Sequence, residues 1–128
     1  MKIEHIACQV EDPVAVARWY VAHLGLTVKR AQDEPPFGQF LADDGDAVML
    51  EFYNSPKVAV PDYRAIDPLI LHLAFWTDDV EDTRARLLAA GASAQGDAVL
   101  TPAGDHVAML RDPWGLAIQF VHRAHPMI

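Results

Sequence analysis

The chain reads as an α+β domain of two like modules, each strand-helix-strand-strand-strand (βαβββ), and three observations predict it. IEHIACQVED at Ile3 to Asp12 and ILHLAFWTDD at Ile70 to Asp79 are versions of one another, each a β-patterned run centred on a histidine. Both runs lead into a helix start, Asp12-Pro13 and Asp79, and both helices meet a glycine, Gly25 and Gly91. Polar residues also recur in matching places: His5 and His72 lie 67 positions apart, Glu51 and Gln119 lie 68 apart. The expected architecture is a pseudo-twofold pair of half-barrels, a curved, barrel-like mixed sheet with helices outside. Module 1 covers about residues 1–53, a linker 54–68 and module 2 69–128, together a single domain.

Each element has a local cause. From Ile3 to Val10, Ile6, Cys8 and Val10 alternate with His5, Ala7 and Gln9, the period of a half-buried strand. Asp12 is an N-cap with proline in the first turn, and Ala17, Tyr20, Val21 and Leu24 form one stripe before Gly25 ends the helix. Leu26 to Arg30, Phe37 to Ala42 and Ala47 to Tyr53 read as strands, the last two joined by the turn Asp43-Asp44-Gly45-Asp46. Asn54 to Pro68 holds Pro56, Pro61 and Pro68 without periodicity, an extended linker or arm. The second module then repeats the plan: strand Leu69 to Thr77, helix from Asp79 to Ala90, a weak strand Ser93 to Gln95, and strands His106 to Arg111 and Leu116 to His122. Asp112-Pro113-Trp114-Gly115 turns between the last two.

Composition narrows the function. With 128 residues, 52% hydrophobic and 22% charged, the chain can bury roughly two-thirds of its unfolded surface in one core. Its formal charge of −8, with ten scattered Lys and Arg, disfavours nucleic acid and favours neutral or cationic small ligands. One cysteine, Cys8, cannot form an internal disulfide, and no apolar run approaches the roughly 18 residues of a membrane span. A cytoplasmic protein is expected.

In the strand ending at Tyr53, Met49, Glu51 and Tyr53 oppose Val48, Leu50 and Phe52; in the last strand, Gln119 opposes Ile118 and Phe120. His72 shares a face with Ile70, Ala74 and Trp76. Each polar residue thus lies opposite its strand's bulky apolar run, and helices covering the outer faces would turn all four inward. An inward carboxylate is costly unless paired or bound to metal. Two imidazoles, a carboxylate and an amide oxygen suit one divalent ion, such as Zn, Ni, Co, Mn or Fe, at about 2.0–2.2 Å. The same residues can instead hydrogen-bond to one another and to water in a polar cavity. Gln9, Met49, Tyr53 and Trp76 are expected to form a ligand-contacting wall, although Met and aromatic residues on strands commonly belong to plain core.

Five segments, IEHIACQVED, WYVAHLG, VMLEFYN, LILHLAF and DPWGLAIQF, resemble those of the vicinal oxygen chelate superfamily, the glyoxalase, bleomycin-resistance and extradiol dioxygenase group. The resemblance covers nearly the whole chain. It implies His5, Glu51, His72 and Gln119 as metal ligands; because the family's candidate base falls on Gln119, any proton transfer here is expected to fall to Glu51 as the catalytic residue. The implied activity is a substrate's vicinal oxygens chelated on the metal, with an enolate-like or oxyanionic intermediate. It also implies homodimers. Three departures are visible. Gln119 stands where glyoxalase I-like members have glutamate, and it cannot take a proton at neutral pH. Gln9 stands where glutathione-using members have arginine. Gln119 also replaces the carboxylate that extradiol dioxygenases need beside two histidines. The alternative implied function is a non-catalytic drug binder similar to the bleomycin-resistance proteins.

Overall fold

The computed structural model describes residues 1–127. It contains two compact units, Met1–Pro61 and Asp62–Ile128. The first runs β1 (His5–Gln9), α1 (Pro13–Leu24), β2 (Thr27–Ala31), β3 (Gln39–Ala42) and β4 (Met49–Tyr53). The second opens with a 3-10 turn at Tyr63–Ala65. It continues with β5 (Leu73–Trp76), α2 (Val80–Ala89), β6 (Ser93–Ala94), β7 (Val99–Leu100), β8 (His106–Arg111) and β9 (Ala117–His122). The α+β class is as expected, realised as two open mixed sheets.

The sheets share one plan. In the first the order is β1-β4-β3-β2, in the second β5-β9-β8-β6, with β7 also on β8. In each, the opening strand pairs parallel with the closing strand and the other pairings are antiparallel. A parallel partner needs a crossover, and the helix after each opening strand begins it.

Both helices are capped as their sequences predict. Asp12 accepts from the Ala15 N–H at 2.9 Å, and Asp79 from the Asp82 N–H at 2.9 Å. Gly25 closes α1 at φ 72°. Gly91, at φ 98°, closes α2 as a Schellman motif, with the Ala92 N–H on the Leu87 carbonyl and the Gly91 N–H on that of Leu88.

Each helix buries an apolar stripe on its own sheet. Val16, Ala17 and Tyr20 are buried on α1, and the Tyr20 ring lies 4.8 Å from that of fully buried Phe52. In the second unit Val80 and Leu87 are buried on α2, Leu110, Ile118 and Phe120 on the sheet, and Phe75 stacks on Phe120 at 5.8 Å. Glu51 and Gln119 therefore take the opposite faces, because neighbours along a strand alternate.

Some boundaries differ from expectation for local reasons. Residues 69–71 are not strand: the Asp67 carboxylate accepts from the Leu69 N–H at 2.8 Å and its carbonyl from the Ile70 N–H, coiling the chain into a turn. Leu69, Ile70 and Leu71 are left exposed. Phe37, at φ 56°, stands outside β3. The pair Val99–Leu100 forms a strand on β8 that periodicity did not reveal, since two residues are too few to show a period.

Candidate metal and ligand site

In the first unit, strand register brings two expected donors together. His5 pairs with Met49 and Ala7 with Glu51, so His5 stands two residues ahead of the partner of Glu51 on the same face. Their side chains close the gap: His5 Nε2 lies 3.4 Å from Glu51 Oε2, with Glu51 largely shielded from solvent. His5 Nδ1 also donates to the Glu4 carboxylate. That bond raises the His5 pKa above its ordinary value, with the charges of Glu4 and Glu51 adding to it against some desolvation. An imidazole whose Nδ1 proton goes to Glu4 turns a lone pair at Nε2 toward a carboxylate. A positive charge, either a proton on Nε2 or a metal ion, stabilises the approach.

In the second unit the same offset recurs. Ala74 pairs with Gln119, and His72 stands two residues before Ala74, one ahead of β5. His72 Nδ1 lies 2.7 Å from the Pro68 carbonyl, so Nδ1 carries the proton and Nε2 the lone pair. A backbone carbonyl of this kind commonly fixes the tautomer of a metal-ligating histidine. Among the described residues, no three His, Cys, Asp or Glu side chains converge as a metal cluster. The expected donors fall as one imidazole and one oxygen group per unit.

The expected ligand wall divides. Met49 and Tyr53 are half-buried on the Glu51 face, as alternation requires. Trp76 is 62% exposed, its ring 5.9 Å from that of His122. Gln9 is only 7% exposed, and its carboxamide is committed to backbone: Nε2 donates to Ser55 O at 2.8 Å and Val58 O at 3.0 Å, and Oε1 accepts from the Ser55 N–H at 2.9 Å. Gln9 anchors the chain leaving β4. His106 lies on the helix side of its sheet, opposite His122, with Nε2 3.7 Å from Glu81 Oε1.

Two residues that sequence reading passed over belong to the first unit's face. Phe40 pairs with Glu51, and its ring meets that of His5 edge-on at 5.9 Å. Arg30 pairs with Phe40 and sets its guanidinium 5.8 Å from that ring's centroid. Phe40 was findable, because alternation with Leu41 places it opposite the core. Arg30 was not, because it reaches this face through a register shift between Val28 and Arg30. Alongside, a cavity of about 430 Å³ is bounded by Ile3, Glu4, Lys29, Ala42 and Met49. Its walls include the neighbours of His5 and Glu51 but neither donor itself.

Comparison with known proteins gives a consistent picture. The model of the Glyoxalase/Bleomycin resistance protein/Dioxygenase superfamily matches residues 2–120. Among solved structures, SMU.1112c is 28% identical, over 95% of this chain and 98% of its own, with a TM-score of 0.74. A glyoxalase/bleomycin resistance protein/dioxygenase family enzyme from Burkholderia phytofirmans PsJN is 18% identical, over 94% and 98%, with a TM-score of 0.76. TnmS3, an antibiotic binding protein from Streptomyces sp. CB03234, is 24% identical, over 94% and 93%, with a TM-score of 0.71. No curated protein matches the chain.

Proposed function

Because the chain belongs to the Glyoxalase/Bleomycin resistance protein/Dioxygenase superfamily, we propose that it takes a small molecule with two neighbouring oxygens onto a divalent ion. The donors proposed are His5 with Glu51 in the first unit and His72 with Gln119 in the second. The observation that carries this reading is the 3.4 Å approach of His5 Nε2 to Glu51 Oε2. Two donors at that spacing suit a shared ion with bonds of about 2.0–2.2 Å. The Pro68 carbonyl, by holding the proton of His72 on Nδ1, supports the same use of Nε2 in the second unit. An ion bound there supplies Lewis-acid polarisation of a substrate oxygen.

The protein's own groups set the rest of the chemistry. Glu51 carries the one carboxylate of the donor set, and the Gln119 amide is not a base. Proton transfer next to a polarised carbonyl therefore falls to Glu51, with His5 orienting its carboxylate. The test is metal content after purification without chelator, with Zn and Ni titrated by calorimetry. We expect divalent metal to be taken up, and uptake to be reduced in both His5→Ala and His72→Ala. A protein that takes up no divalent metal removes this reading.

A second reading, a non-catalytic binder, is favoured by exposed Trp76 in a chain of charge −8, and by the likeness to an antibiotic binding protein. Quenching of tryptophan fluorescence by a cationic glycopeptide in metal-free protein would support it. Indifference to that ligand would count against it. Either function is assigned to a homodimer, in which a second copy covers exposed Leu69, Ile70 and Leu100. Light scattering at micromolar concentration checks this.

A further inference from the structure

We propose that Arg30 is a specificity-determining residue: it selects ligands whose body lies over Phe40 and whose far end carries a carboxylate. The inference rests on the reading of His5 and Glu51 as metal ligands. It begins with register. Uninterrupted pairing from Thr27 with Ala42 and Val28 with Leu41 would place Lys29 opposite Phe40. The irregularity between Val28 and Arg30 removes Lys29 from the ladder and sets Arg30 there instead. Bulges of this kind re-aim side chains and are common beside active sites.

The exchange is chemically consequential. A planar guanidinium stacks on an aromatic face and pairs with a carboxylate through two parallel N–H bonds; an ammonium does neither. Arg30, Phe40, Glu51 and Ala7 form one row across β2, β3, β4 and β1. With strands about 4.8 Å apart, Arg30 stands roughly 10 Å from Glu51 along that row. A ligand gripped at His5 and Glu51 therefore spans the Phe40 ring before it meets Arg30, which suits a planar or aryl body with an acid at its far end. Lys29 pairs with Asp46 and Arg123 with Asp105, yet among the described residues Arg30 has no carboxylate partner. That leaves its N–H groups for an incoming acid.

The overall charge of −8 opposes anions at a distance but does not decide the contact. At physiological salt, charges beyond about 8 Å are largely screened, whereas a guanidinium at hydrogen-bond range is not. A purely structural role for Arg30, shielding an edge strand, predicts no preference among ligands.

The experiment compares two probes on the Zn-loaded protein by calorimetry: benzohydroxamate, which offers vicinal oxygens on an aryl body, and its para-carboxy derivative. Wild type is expected to favour the carboxylated probe by about tenfold. Arg30→Gln abolishes that preference, the two probes then binding alike. Arg30→Lys, which keeps the charge but not the fork, retains a smaller part of it. Arg30 is exposed, so both variants keep the fold. Equal affinity of wild type for the two probes, or a preference untouched in Arg30→Gln, overturns the inference and leaves the metal reading intact. Failure of wild type to take up Zn overturns the metal reading, whereas Zn-loaded wild type that binds neither probe overturns this inference alone.

Discussion

The first unit gathers its polar side chains on the sheet face opposite its helix, where His5, Glu51 and Arg30 meet one another or an aromatic ring. The second unit uses the corresponding face differently. There Arg111, 7% exposed, donates to the carbonyls of Tyr63 at 2.8 Å, Gly115 at 2.9 Å and Ile66 at 2.9 Å, and to the Gln95 carboxamide. Its neighbours along that face are Met109 and Val107. The two sheets thus share strand order and offset of His from oxygen donor, yet differ in what surrounds the donors. Duplication carries over the backbone plan; the side chains on each face then differ, an ion pair and an aromatic ring beside Glu51 in one unit, a buried arginine binding backbone carbonyls in the other.

The largest expected effects test the shared part. Phe52→Ala and Phe120→Ala each remove a buried aromatic that anchors a helix to its sheet, and each should cost about 3–5 kcal/mol in urea unfolding. A large inequality between them would break the equivalence of the two cores.

Next come the anchors. Arg111→Ala strands three backbone carbonyls and should cost about 3 kcal/mol. Gln9→Ala, which frees the Ser55 and Val58 backbone, should cost about 2 kcal/mol. If instead Gln9→Ala left stability intact and weakened ligand binding, Gln9 would belong with the reactive groups.

Smaller effects sharpen the comparison further. Asp12→Ala and Asp79→Ala should each lose about 1 kcal/mol, since both caps accept one N–H at the same distance. The smallest effect separates the units by pH. Asp105 lies below its ordinary value of 3.8, held there first by the hydrogen bond from Arg123 and then by the Ala124 N–H. A lowered folded-state pKa contributes stability that is present above the unfolded value and is lost as pH falls through the folded one. Melting temperature followed from pH 5 to pH 2 should therefore fall less steeply in Asp105→Asn than in wild type. Identical slopes would remove Asp105 from the acid response.

Much of this was legible in the chain. The repeat around His5 and His72, the aspartate caps and the terminating glycines all act within a few residues, so the sequence alone determined the twofold βαβββ plan. Alternation about Phe52 and Phe120 likewise determined which face Glu51 and Gln119 take. Tertiary structure decided the rest. The Asp67 turn took Leu69 to Leu71 out of the strand, and backbone carbonyls distant in sequence claimed Gln9 and Arg111. A one-residue slip exchanged Lys29 for Arg30 opposite Phe40. Register, hydrogen-bond partners and bulges depend on which strand lies alongside. A pattern read along one strand carries no information about the residue across from it.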